Sequence, residues 1–356
     1  MQLSVVQLLS EHAPRWQDVF LASDADPSEY PTGAKGNLGR LEKLHIAGAW
    51  KRVDIFREAP RLTEITLRGE NDNVPDLPWA QILTFTYFGA PAADCFSLLT
   101  HGSNIRTATF RIDSRGMDFP EPWQLASSDV RSITFELAVD TSLHVGQFFD
   151  SLTLPCLESF AFCRHDDAST QPVWAQNQFL ALAHRSQFNI YLTRLEIHAV
   201  ITDEELLSCL AVLSKLEELE ISDSPGEDHI LITDTLLRGL LYEPAATALV
   251  SHLQFLHLTS VLRFTDALYR AVVISRVEEA TLESGGVFET QLWWYAARHH
   301  DVSAETLNSL AALHAEGRLG FHSGIVSPDG TAEPDSVEGQ GDTSADGDDD
   351  SSADAD

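Results

Sequence analysis

The chain is predicted to fold as an α/β repeat solenoid, a curved parallel sheet with helices along its convex side. Three observations carry that prediction. A six-residue beat with apolar side chains at positions one, four and six recurs ten times. Short amphipathic, helix-like stretches fill the intervals between copies. Start-to-start gaps run from 20 to 37 residues, room for one strand and one return segment. Self-similarity at such a period marks a repeat architecture. One turn alone cannot bury its apolar stripe, whereas a stack of turns can.

The beat opens as LEKLHI (41–46), LTEITL (62–67), ILTFTY (82–87), IRTATF (105–110) and VRSITF (130–135). It continues as LESFAF (157–162), LTRLEI (192–197), LEELEI (216–221), LQFLHL (253–258) and VEEATL (277–282). The spacing fits neither a helix stripe nor plain strand alternation. Positions one, four and six turn inward and stack on their equivalents in neighbouring turns. The residues between them face water, so Glu217, Glu218 and Glu220 can stand among Leu216, Leu219 and Ile221. Ala108 and Ala280 are the small residues at position four.

Between copies, TDEELLSCLAVLSK places Thr202 and Glu205 in capping-box register, and Leu206, Leu207, Leu210 and Leu213 follow at helical spacing. VDIFREAP, VGQFFDSL, NQFLALAHRS, TDTLLRGLL and TDALYRAVVISR are similar short pieces. Alternation of a short strand with a return helix requires parallel strands. QLWWYAARHH (291–300) is expected to be part of a helical C-terminal cap, because a terminal turn needs a lid over its exposed core. The domain spans 1–326, and the acidic segment 327–356 is expected to be disordered for want of apolar side chains.

The phrasing of several segments goes beyond the generic beat. EHAPRWQDVFL, with His12, Arg15 and Trp16, resembles the helix before an early strand in the fungal F-box/leucine-rich-repeat proteins. IFREAPRLTEITL, LTLPCLESFAF, AHRSQFNIYLTRLEI and LHAEGRLGFHSG resemble the same family, over roughly residues 3–324. The resemblance implies a leucine-rich-repeat solenoid and a role in substrate recognition for a ubiquitin ligase. Two departures stand out. Gly48, Gly69, Ala199 or Asp223 occupies the position where the repeat consensus carries Asn, so an irregular stack is expected. Nothing before Leu41 has the leucine–proline opening of an F-box, so docking to a ligase adaptor would need such a module upstream. The runner-up role is a stand-alone interaction scaffold.

The formal charge is −31, and without the acidic segment the body still holds 43 acids against 23 bases. Such a surface repels phosphate backbones and anionic lipids, so neither nucleic acid nor membrane is an expected partner. Cys95, Cys156, Cys163 and Cys209 are too few and too scattered for a disulfide framework, and no C-x-x-C pair exists. With no signal-like amino terminus and no membrane span, the expected location is cytoplasmic or nuclear.

No enzyme, cofactor or metal site is assigned. PTGAKGNLGR (31–40) matches neither phosphate-binding glycine pattern and reads as a loop. FCRHDDAS (162–169), with Cys163, His165, Asp166 and Asp167, matches no standard zinc or calcium spacing, and RHHD (298–301) reads as a solvated helix end. No G-x-S-x-G, H-E-x-x-H or local Ser/His/Asp grouping is present.

What remains is a binding surface. Positions three, five and seven of each copy should point to the concave face. Early copies place Lys43, His45, Arg68, Thr107, Thr109 and Arg111 there. Later ones place Arg194, Glu196, His198, Glu218, Glu220, Phe255, His257, Glu279 and Glu283. The face should therefore pass from mildly basic to acidic, with Phe255 as an apolar anchor, and bind a protein partner of unspecified identity through a basic segment.

Overall fold

The computed structural model describes residues 5–23, 32–48, 54–69, 76–90, 98–112, 125–126, 129–137, 145–164, 171–223, 230–243, 249–283, 286–295, 301–326 and 332–334. Its backbone is a sheet of twelve parallel strands lying side by side in chain order. The first six are β1 (Asp18–Ser23), β2 (Lys43–Gly48), β3 (Glu64–Arg68), β4 (Thr84–Ala90), β5 (Thr107–Ile112) and β6 (Ser132–Leu137). The second six are β7 (Ser159–Arg164), β8 (Arg194–Ile197), β9 (Glu218–Ser222), β10 (Phe255–Ser260), β11 (Phe288–Tyr295) and β12 (Leu319–Val326). A short β13 (Ala332–Pro334) closes the far edge antiparallel to β12.

Strand pairing sets like positions of the beat side by side: Leu195 opposes Leu219, which opposes Leu256, and Ile197 opposes Ile221, which opposes Leu258. Positions one, four and six of the first nine copies are all buried, from Leu41, Leu44 and Ile46 to Leu253, Leu256 and Leu258. Position two explains how the turns stack. Its carbonyl accepts two N–H groups of the next turn, as Glu42 O does from Thr63 and Glu64, and Glu217 O from Gln254 and Phe255. Both lone pairs of one oxygen are used, so two N–H donors at each of these strand entries are satisfied by one carbonyl.

The return segments change along the chain. In the early, short units they are 3-10 turns, Ile55–Glu58 and Trp79–Gln81, where an α-helix was expected for VDIFREAP. A unit of about 20 residues that also holds a strand and two turns has no room for a full helix. The α-helices are α1 (Val5–Ser10), α2 (Val145–Ser151), α3 (Gln176–Arg185), α4 (Phe188–Tyr191), α5 (Asp203–Leu210), α6 (Asp234–Leu240), α7 (Asp266–Glu283) and α8 (Ala304–Ala315). The capping box of α5 forms as its sequence requires: Glu205 N donates to Thr202 Oγ1 at 3.2 Å, and Thr202 N donates to Glu205 Oε2 at 3.0 Å. Where helices are short, aromatic side chains fill the interior. Phe85, Phe110, Phe135 and Phe160 follow one another at centroid distances of 5.9, 5.9 and 6.1 Å. Such ring pairs add to the area they bury.

The C-terminal units differ from the sequence expectation. VEEATL is not a strand; it is the last part of α7. Nothing breaks the helix between Ser275 and Glu283, and Tyr269, Val272, Val273, Arg276 and Val277 bury at i, i+3, i+4, i+7 and i+8. The strand comes after, at β11, with Phe288, Thr290, Leu292 and Trp294 buried in alternation. Trp293–Tyr295 therefore belong to the sheet rather than to a helical cap; α8 and β12 lie beyond them. Residues 296–300, expected in the cap, and most of 327–356 fall outside the described residues. Within that acidic segment, Ala332–Pro334 pairs with the otherwise open edge of β12.

Two buried polar groups tie the later turns together. Asp223, 2% exposed, accepts from the backbone N–H of Leu231 and Ile232 on one oxygen and from Ser260 Oγ and Val261 N–H on the other. Arg276, 1% exposed, donates to the carbonyls of Leu240, Leu249 and Val250 and to Glu279 Oε2.

Candidate functional site

Side chains alternate across a strand, so positions three, five and seven must leave the core together. In register they make three columns on the open face of the sheet, and the structure sorts the expected residues along them.

At the start of the face the cations have partners that the beat alone did not reveal. Lys43 Nζ lies 2.7 Å from Glu64 Oε2, and His45 Nε2 lies 3.5 Å from Asp18 Oδ1 on the neighbouring strand. Arg68 is exposed, and the Arg111 guanidinium sits 6.0 Å from the centroid of Phe88. Thr107 and Thr109 belong to a middle zone of small side chains with Thr84, Thr86, Ser132, Thr134 and Ser159. Lys43 is thus paired with a carboxylate while Arg68 stays exposed, and positions three and five in the middle of the face carry hydroxyl side chains.

Strands β7 to β10 hold the dense part of the face. Arg194 Nη1 donates to Glu218 Oε2 at 3.0 Å, while Nη2 reaches Glu220 Oε2 at 3.3 Å and Glu196 Oε2 at 3.5 Å. Glu220 Oε1 is bound by His257 Nδ1 at 3.0 Å. Burial alone would raise the Glu220 carboxyl, but the hydrogen bond from His257 and the nearby charges of His257, His198 and Arg194 hold it below the ordinary glutamate value. Desolvation keeps the His198 imidazole below its usual value despite Glu196 and Glu220 beside it. Phe255 lies in the same column as Glu218, with its ring 6.4 Å from that of His257. Arg194, Glu196, His198, Glu218, Glu220, Phe255 and His257 are therefore brought together as expected.

Two expected members are elsewhere. Glu279 sits in α7, 5% exposed and 3.1 Å from Arg276, so it holds a helix in place and offers nothing to a partner. Glu283 ends the same helix. Their places in the columns are taken by Glu289, Gln291 and Trp293 of β11, whose indole Nε1 donates to Gln291 Oε1 at 3.3 Å.

One member was overlooked on the face. Cys163 is the seventh residue of its copy, so its Sγ stands over β8 and donates to Glu196 Oε1 at 3.1 Å. Burial first, then the carboxylate of Glu196, pushes its thiol well above the ordinary range. His165, Asp166 and Asp167, which follow it in sequence, fall outside the described residues. On the helix side, a depression of about 380 Å³ near α7 and α8 is lined by Asp266, Arg270 and Ser303. Its groups already bind one another: Arg270 pairs with Glu305 at 2.6 Å, and Ser303 N–H donates to Asp266 at 2.6 Å. No described helix is long and apolar enough to cross a membrane.

Among proteins of known family or function, no family model matches the chain and no curated protein matches it.

Proposed function

We propose that the chain is a leucine-rich-repeat recognition module that captures a protein partner along the open sheet face, with strands β8 to β10 as its centre. The observation that carries this reading is the gathering of Glu196, Glu218 and Glu220 around the single guanidinium of Arg194, beside Phe255. Three carboxylates share one cation, so the patch has acceptor capacity to spare for a basic segment. The in-order parallel strands and the L-x-x-L-x-I beat support the leucine-rich-repeat assignment. No catalytic role is proposed. The role of substrate receptor in a ubiquitin ligase depends on an F-box encoded upstream, which mapping the 5′ end of the transcript would reveal; a repeat-only scaffold is the alternative.

The test is a titration of the full chain with a Lys/Arg-rich peptide and with its Asp/Glu counterpart at low and high salt. Preferential, salt-sensitive binding of the basic peptide is expected. Glu218→Lys combined with Glu220→Lys should abolish that preference while far-ultraviolet circular dichroism stays unchanged. Equal affinity for the two peptides would sink the reading, as would a folded double variant that binds like wild type.

A further inference from the structure

The geometry points to a binding site for one divalent transition-metal ion of the zinc class, held by Cys163 Sγ, Glu196 Oε1 and His198 Nε2 on strands β7 and β8 and the first residue after β8. These residues offer one ligand atom each, and the three atoms lie within 4.8 Å of one another. Glu196 Oε1 is 3.1 Å from Cys163 Sγ and 3.9 Å from His198 Nε2. A tetrahedral ion with bonds of about 2.0–2.3 Å spaces its ligands roughly 3.3–3.8 Å apart, so rotamer-scale adjustment brings all three to bonding distance.

The fold supplies this arrangement for a simple reason. Phe162 opposes Ile197 in the ladder, and the N–H of His198 donates to the Phe162 carbonyl at 2.9 Å, so Cys163 and His198 leave neighbouring strands side by side. Glu196 is two residues before His198 and emerges on the same face. Cys163 and Glu196 thus stand on the sheet and His198 is tied to its end by the hydrogen bond to the Phe162 carbonyl, so their positions are held better than on a free loop.

The chemistry of the set selects the ion. A thiolate, an imidazole and a carboxylate together suit zinc, cobalt and related borderline-soft ions, whereas calcium and magnesium prefer oxygen alone. The two oxygens of Glu196 have separate tasks: Oε2 faces Arg194 at 3.5 Å, and Oε1 faces the thiol and the imidazole. The hydrogen bond from Arg194 orients the carboxylate in the way outer groups orient metal ligands. Glu136 and Glu220 also act electrostatically on Cys163 and add negative potential around the site. As the metal–sulfur bond forms, the thiol proton passes to solvent. Cys163 is 7% exposed at the bottom, while the Glu196 and His198 side chains are 21% and 28% exposed. The fourth position is therefore open outward, to water or to a ligand atom from a docked partner.

Linear scanning missed this set because its members come from adjacent turns, 33 residues apart for Cys163 and Glu196. The site stands independently of partner capture, since it rests on three side chains whether or not any peptide binds.

The experiment is a titration of the full chain, stripped with a chelator, with cobalt(II) and then zinc. Wild type should take up one ion and show a thiolate-to-cobalt charge-transfer absorption that zinc displaces. Cys163→Ser should lose that absorption, His198→Gln should bind roughly 100-fold more weakly or worse, and Cys156→Ala should behave as wild type. If Cys163→Ser fails to fold, His198→Gln, at a more exposed position, decides on its own. The site is refuted if wild type shows no charge-transfer absorption, or if the absorption survives in folded Cys163→Ser or keeps wild-type affinity in His198→Gln.

Discussion

Arg194 and Glu218 face each other on adjacent strands with Nη1 and Oε2 3.0 Å apart, and the same guanidinium is the only cation shared with Glu196 and Glu220 among the ion pairs of the described residues on β8 and β9. A cation held in an acidic patch competes with any cation a partner brings. Arg194→Gln should therefore tighten binding of a Lys/Arg-rich peptide several-fold, the opposite sign to Glu218→Lys with Glu220→Lys. The Arg194 side chain is 43% exposed, so solvent screens its pairs and the change in stability should stay within about 1 kcal/mol. Calorimetric titration checks the affinity and urea unfolding the stability. Weaker peptide binding by folded Arg194→Gln would mean the guanidinium itself contacts the ligand.

Arg276 works where no solvent reaches. It satisfies the carbonyls of Leu240, Leu249 and Val250 and faces Glu279 at 3.1 Å. Arg276→Met should cost about 3–5 kcal/mol, because it leaves a buried carboxylate without its counterion and removes the guanidinium donors from the carbonyls of Leu240 and Leu249. The double variant Arg276→Met with Glu279→Leu should recover part of that loss, since the unpaired charge is gone while the Leu240 and Leu249 carbonyls still lack the guanidinium donors. Urea midpoints of the two variants measure the difference. If both variants were equally unstable, the ion pair would not be the dominant contribution.

The beat made most of this sheet legible because period and burial coincide. Leu216, Leu219 and Ile221 could be read as inward from spacing alone, and Arg194, Glu196, Glu218 and Glu220 as outward. The strand β1 carries the same beat with an aromatic at position one, Trp16 before Val19 and Leu21, a variant that an aliphatic pattern does not cover. At β12 the beat is broken: Arg318 and Ser323 stand at positions one and six, only Phe321 at position four is apolar, and backbone pairing with β11 places the strand instead. VEEATL failed for the converse reason. Val277 and Ala280 are also spaced i, i+3, and with no glycine or proline before Glu283 the helix continued through them. The contact between Cys163 and Glu196 lay beyond linear reading, because it depends on which strands become neighbours.

Asp234 links successive return helices: it accepts from the N–H of Thr265 at 2.7 Å and from its hydroxyl at 3.0 Å, just before α7. The Thr265 backbone hydrogen bond holds its carboxyl below the ordinary value of 3.8. A carboxylate depressed in the folded state contributes stability that is present above the unfolded pKa and is lost as pH falls through the folded one. Wild type should therefore exceed Asp234→Asn in urea midpoint at neutral pH, with the gap closing as pH drops below about 3.8. A gap that stays constant down to acid unfolding would show that the carboxylate's charge is not what ties the two turns.

Asp223→Asn keeps the size and shape of the buried side chain and looks conservative. The geometry says otherwise. Leu231 N–H at 2.8 Å and Ile232 N–H at 3.0 Å both donate to Oδ1, while Ser260 Oγ at 2.9 Å and Val261 N–H at 3.2 Å donate to Oδ2. Whichever way an amide is turned, its NH2 group meets donors where an acceptor stood. Burial pushes the Asp223 carboxyl above its ordinary value, partly offset by the hydrogen bonds from Ile232, Ser260, Leu231 and Val261. Asp223→Asn should cost about 1–3 kcal/mol, the penalty of leaving buried donors unmatched. Asp223→Ala should cost at least as much, because it removes both acceptors. Urea unfolding of the two variants provides the measurement, and an asparagine variant as stable as wild type would show that the loop from Leu231 re-forms around a donor.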